Sequence, residues 1–127
     1  MTNKSSLQFD HMAVDARDLR ASAYFIAELL GAGLPVPEGE DDDMLRIDLD
    51  HDAFILFSPS NEPRFSHVAF RVDESRFGEI VARLRSKRVA FGNEPHDTNN
   101  RKTEDVLGGA GRVYFHDDNG HLWEVTC

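Results

Sequence analysis

The chain is short of cysteine, of long apolar runs and of positive charge, and each shortage excludes a class of protein. One cysteine, Cys127, among 127 residues excludes an intrachain disulfide and makes a reducing cytoplasm the expected location. No stretch approaches the roughly 18 consecutive apolar residues of a membrane helix, and the first residues lack the apolar region of a signal peptide. A net charge of −9 repels phosphate backbones and anionic lipids. We therefore expect neither nucleic acid nor a membrane as a partner.

What the chain does contain is an internal repeat. The segment FDHMAV begins at Phe9 and the segment FSHVAF begins at Phe65, and the two match nearly residue for residue. Each is typical of a β-strand with a histidine at its centre, His11 in the first and His67 in the second. The repeat predicts two similar structural units in one short chain.

The segments after the two strands are also alike. Apolar residues recur at helical spacing over 19–30 and again over 77–84. Asp15 or Asp18 is the expected N-cap of the first helix, and Asp73 that of the second. A strand–turn–strand pattern then follows in each half, over 44–57 and over 111–126, and Asn119-Gly120 is a hairpin signal in the second. Val89–Phe91 is predicted as a further short strand.

The predicted fold class is α+β, with two βαβββ modules that form a half-closed mixed-sheet barrel around a cleft. Module one is expected over residues 7–57, the linker over 58–64 and module two over 65–127, within a single domain spanning 1–127. The linker SPSNEPR carries the proline and polar residues that favour a turn. Side chains on the inward parity of the strands would then face a shared cavity.

Strand parity places a candidate metal site in that cavity. His11 and His67 occupy equivalent positions in the two modules, and Glu124 lies in the middle of an otherwise apolar final strand. A buried glutamate requires a cation, a proton or a strong hydrogen-bond partner. Two histidines and one carboxylate supply three ligands to a divalent metal and leave positions open, as catalytic sites require. This ligand set suits iron, manganese, zinc or nickel.

The order of these residues, together with FHDDNGHLWEV near the C-terminus, resembles the vicinal oxygen chelate superfamily over roughly residues 7–125. That superfamily includes glyoxalases, fosfomycin-resistance thiol transferases, extradiol dioxygenases and bleomycin-resistance proteins. The resemblance implies that His11, His67 and Glu124 are metal ligands and that Glu124 is a possible catalytic base. It also implies a homodimer in which the clefts are shared between subunits, so that His11 of one chain meets His67 and Glu124 of the other.

The function implied by the resemblance is a small metal-dependent enzyme, of lyase or isomerase, thiol transferase or dioxygenase type, acting on a small oxygen-bearing organic substrate. Arg71, Arg101 and Lys102 are candidate substrate-binding residues. A fourth ligand of the glyoxalase kind is not expected, because Ile55 or a neighbour stands at the equivalent position in module one. The alternative is a metal-free binding protein of the drug-sequestering type, whose cleft holds an aromatic or cationic ligand. The alternative for Glu124 by itself is an edge-strand carboxylate paired with an arginine.

The role of one long segment and the positions of the remaining histidines complete the expectations. The segment 93–112 exceeds the usual loop length, which favours a lid or binding loop as much as a surface excursion. His121 is expected to support the hairpin turn, and His51, His96 and His116 are expected at the surface.

Overall fold

The computed structural model describes residues 6–127 and contains two α-helices, a short 3-10 helix at Asp50–Asp52 and seven strands in that range. In chain order the elements are β1 His11–Ala16, α1 Leu19–Leu30, β2 Val36–Glu38, β3 Met44–Asp48, β4 Phe54–Pro59, β5 His67–Arg71, α2 Glu74–Ser86, β6 Arg112–His116 and β7 Leu122–Thr126. Neither α1 nor α2 has the length and apolar character needed to cross a bilayer.

The strands form two separate mixed sheets with the same pattern of pairing. The first sheet has the order β1-β4-β3-β2 and the second has the order β5-β7-β6. In each sheet the histidine strand lies at the edge and pairs in parallel with the last strand of its half, β1 with β4 and β5 with β7. The remaining pairs are antiparallel. The predicted α+β fold of two similar halves is therefore confirmed.

The second sheet is one strand smaller than predicted. Val89–Phe91 forms no strand, and the neighbouring Gly92 makes only an isolated bridge with Tyr114 of β6. The backbone there bonds elsewhere, because the Phe91 carbonyl accepts from the Arg101 N–H and the Asn93 N–H donates to the Asn100 side chain. These contacts with the following loop replace the ladder that a strand would need.

The helix ends follow from local sequence chemistry. The Asp18 carboxylate accepts from the Ala21 N–H and the Asp73 carboxylate accepts from the Arg76 N–H, so each helix has an aspartate N-cap. Gly31 ends α1 with a φ of 69°, a left-handed conformation that glycine adopts without strain. Asp18, rather than Asp15, is the first cap.

The two helices also fasten the halves together. Arg76 of α2 donates to the carbonyls of Leu30 and Gly31 at the end of α1, and Arg83 donates to the Leu29 carbonyl. The last carbonyls of a helix lack partners within the helix, so these guanidinium groups satisfy acceptors that would otherwise face only water. Between the sheets, the Phe57 and Trp123 rings stack with their centroids 6.2 Å apart, and both side chains are fully buried.

The strand register identifies equivalent positions in the two sheets. His11 is opposite Phe54 in the first sheet, and His67 is opposite Leu122 in the second. Two residues further along, Ala13 is opposite Leu56 and Ala69 is opposite Glu124. Leu56, the neighbour of Ile55, is thus the counterpart of Glu124, while Ile55 points into the core.

His121 is a fully buried junction between the halves. Its Nδ1 accepts from the Ser66 N–H at 3.0 Å, so its Nε2 carries the proton and donates to the Asp15 carbonyl at 2.6 Å. The hairpin role predicted for this residue is confirmed, because its own N–H donates to the Asp117 carboxylate in the turn.

We expect His121→Ala to lower the free energy of unfolding by about 2–4 kcal/mol, because it removes two buried hydrogen bonds and leaves a cavity. Urea denaturation followed by circular dichroism measures the loss. The control is His96→Ala, since His96 is exposed and its ring makes no hydrogen bond within residues 6–127. A loss as small as that of the control would contradict the assigned role.

Candidate metal centre

His67 and Glu124 lie side by side on the second sheet. β5 and β7 are neighbours, and strand alternation puts the two side chains on the same face, away from the core residues Val68, Trp123 and Val125. The His67 Nε2 atom lies 2.8 Å from Oε1 of Glu124. An imidazole nitrogen and a carboxylate oxygen in contact are two donors of the kind that a divalent metal binds.

The other carboxylate oxygen of Glu124 is taken by an arginine. Arg112 Nη1 contacts Glu124 Oε2, while the same guanidinium binds Asp105 through Nε at 2.9 Å and Nη2 at 3.4 Å. The Arg112 hydrogen bonds, followed by a backbone bond from Leu107, lower the pKa of Asp105 to about 2. Hydrogen bonding to Asp105 raises the pKa of Arg112, so the guanidinium stays charged. Glu124 therefore has an arginine partner, Arg112 of β6, and its own strand β7 is the central strand of the sheet.

Tyr114 completes this face of the second sheet. It is opposite Glu124 in the β6–β7 ladder, and its ring centroid lies 6.4 Å from that of His67. Burial raises the pKa of the Tyr114 phenol, and the charge of Glu124 adds to the effect. The hydroxyl is consequently a hydrogen-bond donor at neutral pH.

His11 has its own supporting contacts on the first sheet. Its Nδ1 lies 2.5 Å from the Asp10 carboxylate, and its ring stacks on Phe54 with centroids 4.7 Å apart and planes 3° from parallel. A carboxylate on one imidazole nitrogen fixes the ring and its tautomer and leaves the other nitrogen available, an arrangement common among metal-binding histidines. His11 therefore has the surroundings of a ligand, although its side chain is 45% exposed.

One chain does not bring the three predicted ligands together. Within residues 6–127 no group of three or more His, Cys, Asp or Glu side chains is arranged to hold a metal ion. His67 and Glu124 share one sheet, whereas His11 lies on the other. Both histidine faces are open to solvent, since His11, Ala13, His67 and Ala69 are all exposed. The donor chemistry fits a divalent metal, but a single chain supplies only two of its ligands at one place.

The predicted substrate-binding residues are scattered. Arg71, at the end of β5, lines a surface cavity of about 370 Å³ together with the end of α1. Arg101 stacks over the Phe91 ring with its guanidinium 5.4 Å from the centroid. Lys102 is exposed. Within residues 6–127, none of the three has a hydrogen bond or ion pair to His67 or Glu124.

The long segment 93–112 is folded back on the second sheet. Asn93 and Asn100 exchange two hydrogen bonds, and Asp105 accepts from the backbone N–H groups of Leu107 and Gly109. Gly92 allows the close return, because a Cβ there would lie 2.2 Å from the Asp97 carbonyl oxygen. The fold of this segment thus places the Asp105 carboxylate against the Arg112 guanidinium.

Asp105, Arg112 and Tyr114 were not predicted as site residues. Strand alternation alone contained a signal for two of them, because Arg112 and Tyr114 alternate with the buried Val113 and Phe115. No such periodicity exists for Asp105, whose position depends on the path of the long segment.

Comparison with known proteins identifies chains of the same fold. Among curated proteins none matches the sequence. Two solved structures named Oxidase ChaP-H1 and Oxidase ChaP-H2 are similar to this chain, with 31% and 27% identity and a TM-score of 0.85 each. The first alignment covers 95% of both chains, and the second covers 96% of this chain and 94% of the other. The fosfomycin resistance protein FosX from Listeria monocytogenes shares the fold at 19% identity and a TM-score of 0.68, over 94% of this chain and 90% of its own.

The family assignment follows from the sequence match as well as from the fold. Residues 8–125 match the family described as Glyoxalase/Bleomycin resistance protein/Dioxygenase superfamily, which is nearly the whole chain. The two sheets, with their repeated histidine strands, have the corresponding fold. The chain belongs to the glyoxalase, bleomycin-resistance and dioxygenase superfamily.

Proposed function

We propose that the chain is a metal-dependent enzyme of this superfamily that carries out oxidase chemistry on a small oxygen-bearing organic substrate. The observation that carries the proposal is the contact between His67 Nε2 and Glu124 Oε1, 2.8 Å apart on a solvent-open sheet face. The 31% identity to Oxidase ChaP-H1 supports the oxidase branch over the lyase, isomerase and transferase branches. The likeness to FosX bears on the fold alone.

The third ligand in this proposal is His11 of a second copy of the chain. His11 is exposed on the first sheet, and its ring is oriented by Asp10 and Phe54. In the described part of the same chain, no third His, Cys, Asp or Glu side chain joins His67 and Glu124 in a metal-binding arrangement. A homodimer that brings the first sheet of one copy to the second sheet of the other supplies the missing histidine to two sites at once.

Each residue then has a distinct task. A divalent metal bound at such a site acts as a Lewis acid toward substrate oxygens. His67 and Glu124 supply adjacent donors from neighbouring strands, and Tyr114, which is opposite Glu124 in the β6–β7 ladder, interacts with both Glu124 and Arg112 and helps to hold the carboxylate. Arg112 holds the remaining oxygen of Glu124. For Glu124 to act as a base, as first predicted, it would have to leave both Arg112 and His67.

A metal-free binding protein is the second candidate, and one observation favours it. Arg112 contacts Glu124 as well as Asp105, so the Glu124 carboxylate has a cationic partner without a metal. The net charge of −9 would suit a cationic guest.

Metal analysis of the wild-type protein separates the two candidates. We expect protein purified without chelators to carry about one divalent metal per chain. Added metal at roughly 100 times its dissociation constant should stabilise the metal-free protein by about 2.7 kcal/mol, which a thermal shift detects. Oxygen consumption with a panel of catechols and related phenols then tests the oxidase branch. Absence of both stoichiometric metal and a thermal shift would favour the binding protein.

A further inference from the structure

Arg112 is shared between two buried carboxylates. The side chains of Asp105, Arg112 and Glu124 are 2%, 12% and 9% exposed, so the three charges lie in a largely dry environment. Two N–H groups of the guanidinium bind Asp105, and a third binds Glu124 Oε2. The planar fork of arginine can hold two carboxylates at fixed angles, whereas the single ammonium of lysine cannot.

Asp105 is itself held by the backbone. Its Oδ1 accepts from the Leu107 N–H at 2.9 Å, and its Oδ2 accepts from the Gly109 N–H at 3.1 Å. The Thr126 hydroxyl lies 3.4 Å from the same Oδ2. Because these partners are fixed by the loop and by β7, the orientation of the guanidinium is fixed as well.

The first sheet lacks this arrangement at the equivalent positions. Arg46 is opposite Leu56 in the first sheet, and Tyr114 is opposite Glu124 in the second, so Arg46 corresponds to Tyr114. Two residues earlier in each strand, Met44 therefore corresponds to Arg112. The first sheet therefore has methionine and leucine where the second has arginine and glutamate. The first sheet does have an arginine, Arg46, but it stands at the position of Tyr114 and pairs with Glu38 and Asp48.

We propose that Arg112, fixed by Asp105, is a positioning residue that commits Oε2 of Glu124 and leaves Oε1 as the single oxygen offered beside His67. The inference rests on the proposed metal site, because a committed Oε2 matters only if Oε1 is a ligand. Glu124 would then offer a single oxygen to a bound metal, and the loop that carries Asp105 would support the site through Arg112.

The test compares Arg112→Lys and Asp105→Asn with a structural control, Arg76→Lys. Arg76 binds the end of α1 through two guanidinium N–H groups, so its replacement removes a fork of the same kind away from Glu124. Equilibrium dialysis measures the Mn²⁺ affinity, the visible spectrum of the Co²⁺-substituted protein reports the ligand geometry, and chemical denaturation measures the stability without metal.

We expect Arg112→Lys to bind Mn²⁺ about tenfold or more weakly than wild type and to change the Co²⁺ spectrum. Asp105→Asn should weaken binding in the same direction, and it decides the question if Arg112→Lys does not fold. Arg76→Lys should keep the wild-type affinity and spectrum even where it lowers stability. Wild-type affinity and spectrum in both site variants would overturn the positioning role alone, whereas a wild type without metal binding would overturn the proposed function along with it.

Discussion

Glu124→Gln will lower the metal affinity by more than about 100-fold while leaving the metal-free protein folded, because only the charged oxygen donor is lost. The cluster of Asp105, Arg112 and Glu124 has two negative charges and one positive charge. The glutamine variant keeps the Asp105–Arg112 pair and removes the excess carboxylate, so we expect the stability without metal to change by less than about 1 kcal/mol. Isothermal titration with Mn²⁺ and thermal denaturation with and without metal measure the two quantities.

The matched control for this substitution is Glu79→Gln. Glu79 is on α2, its side chain is 60% exposed, and its Oε1 is 3.8 Å from Arg83. It should retain both the metal affinity and the metal-induced thermal shift of the wild type. Unchanged metal affinity in Glu124→Gln would remove Glu124 from the ligand set, and a large loss of stability without metal would assign it to the fold instead.

A heterodimer of two inactive chains will regain about half of the wild-type metal content and activity if the site is shared between subunits. One chain carries His11→Ala and the other carries Glu124→Ala. In the mixed dimer one site combines both defects, but the other combines the intact His11 of one chain with the intact His67 and Glu124 of its partner. Different affinity tags allow the heterodimer to be purified from coexpressed chains, and metal content and oxygen consumption are then measured.

The proximity of His67 and Glu124 provides the control for this experiment. Because these two side chains come from the same sheet, 2.8 Å apart, a heterodimer of His67→Ala with Glu124→Ala contains no intact site. It should remain as inactive as either parent. No recovery in the first heterodimer would contradict a shared site, and equal recovery in both would contradict the pairing of His67 with Glu124.

The repeated strands allowed the fold to be predicted from the sequence. The two histidine segments, the aspartate caps and the hairpin patterns are local features, and their physical causes act over a few residues. Parity within a strand likewise placed His67 and Glu124 on compatible faces. Val89–Phe91 was wrong because its backbone bonds depend on Asn100 and Arg101, residues of a loop whose path is not a local property.

The candidate site was predictable only in part for the same reason. Periodicity states which face of a strand a side chain occupies, but it does not state which faces of separate sheets meet. The sequence therefore shows that His11 and His67 occupy equivalent positions in the two halves. It does not show how far apart the two side chains lie in space. Asp105 lies in a loop without periodicity, so its ion pair with Arg112 could not be predicted from the sequence and is seen only in the folded chain.

The placement of both histidine strands at sheet edges has a consequence for solution behaviour. Within residues 6–127, β1 pairs only with β4 and β5 pairs only with β7, so each has one row of backbone groups without strand partners. Unprotected edges template the addition of further strands and promote aggregation. In the proposed homodimer, substitutions that keep the two copies apart are expected to favour insoluble assemblies through these edges as well as loss of the shared site. Colloidal stability and site integrity are then expected to decline together in such variants.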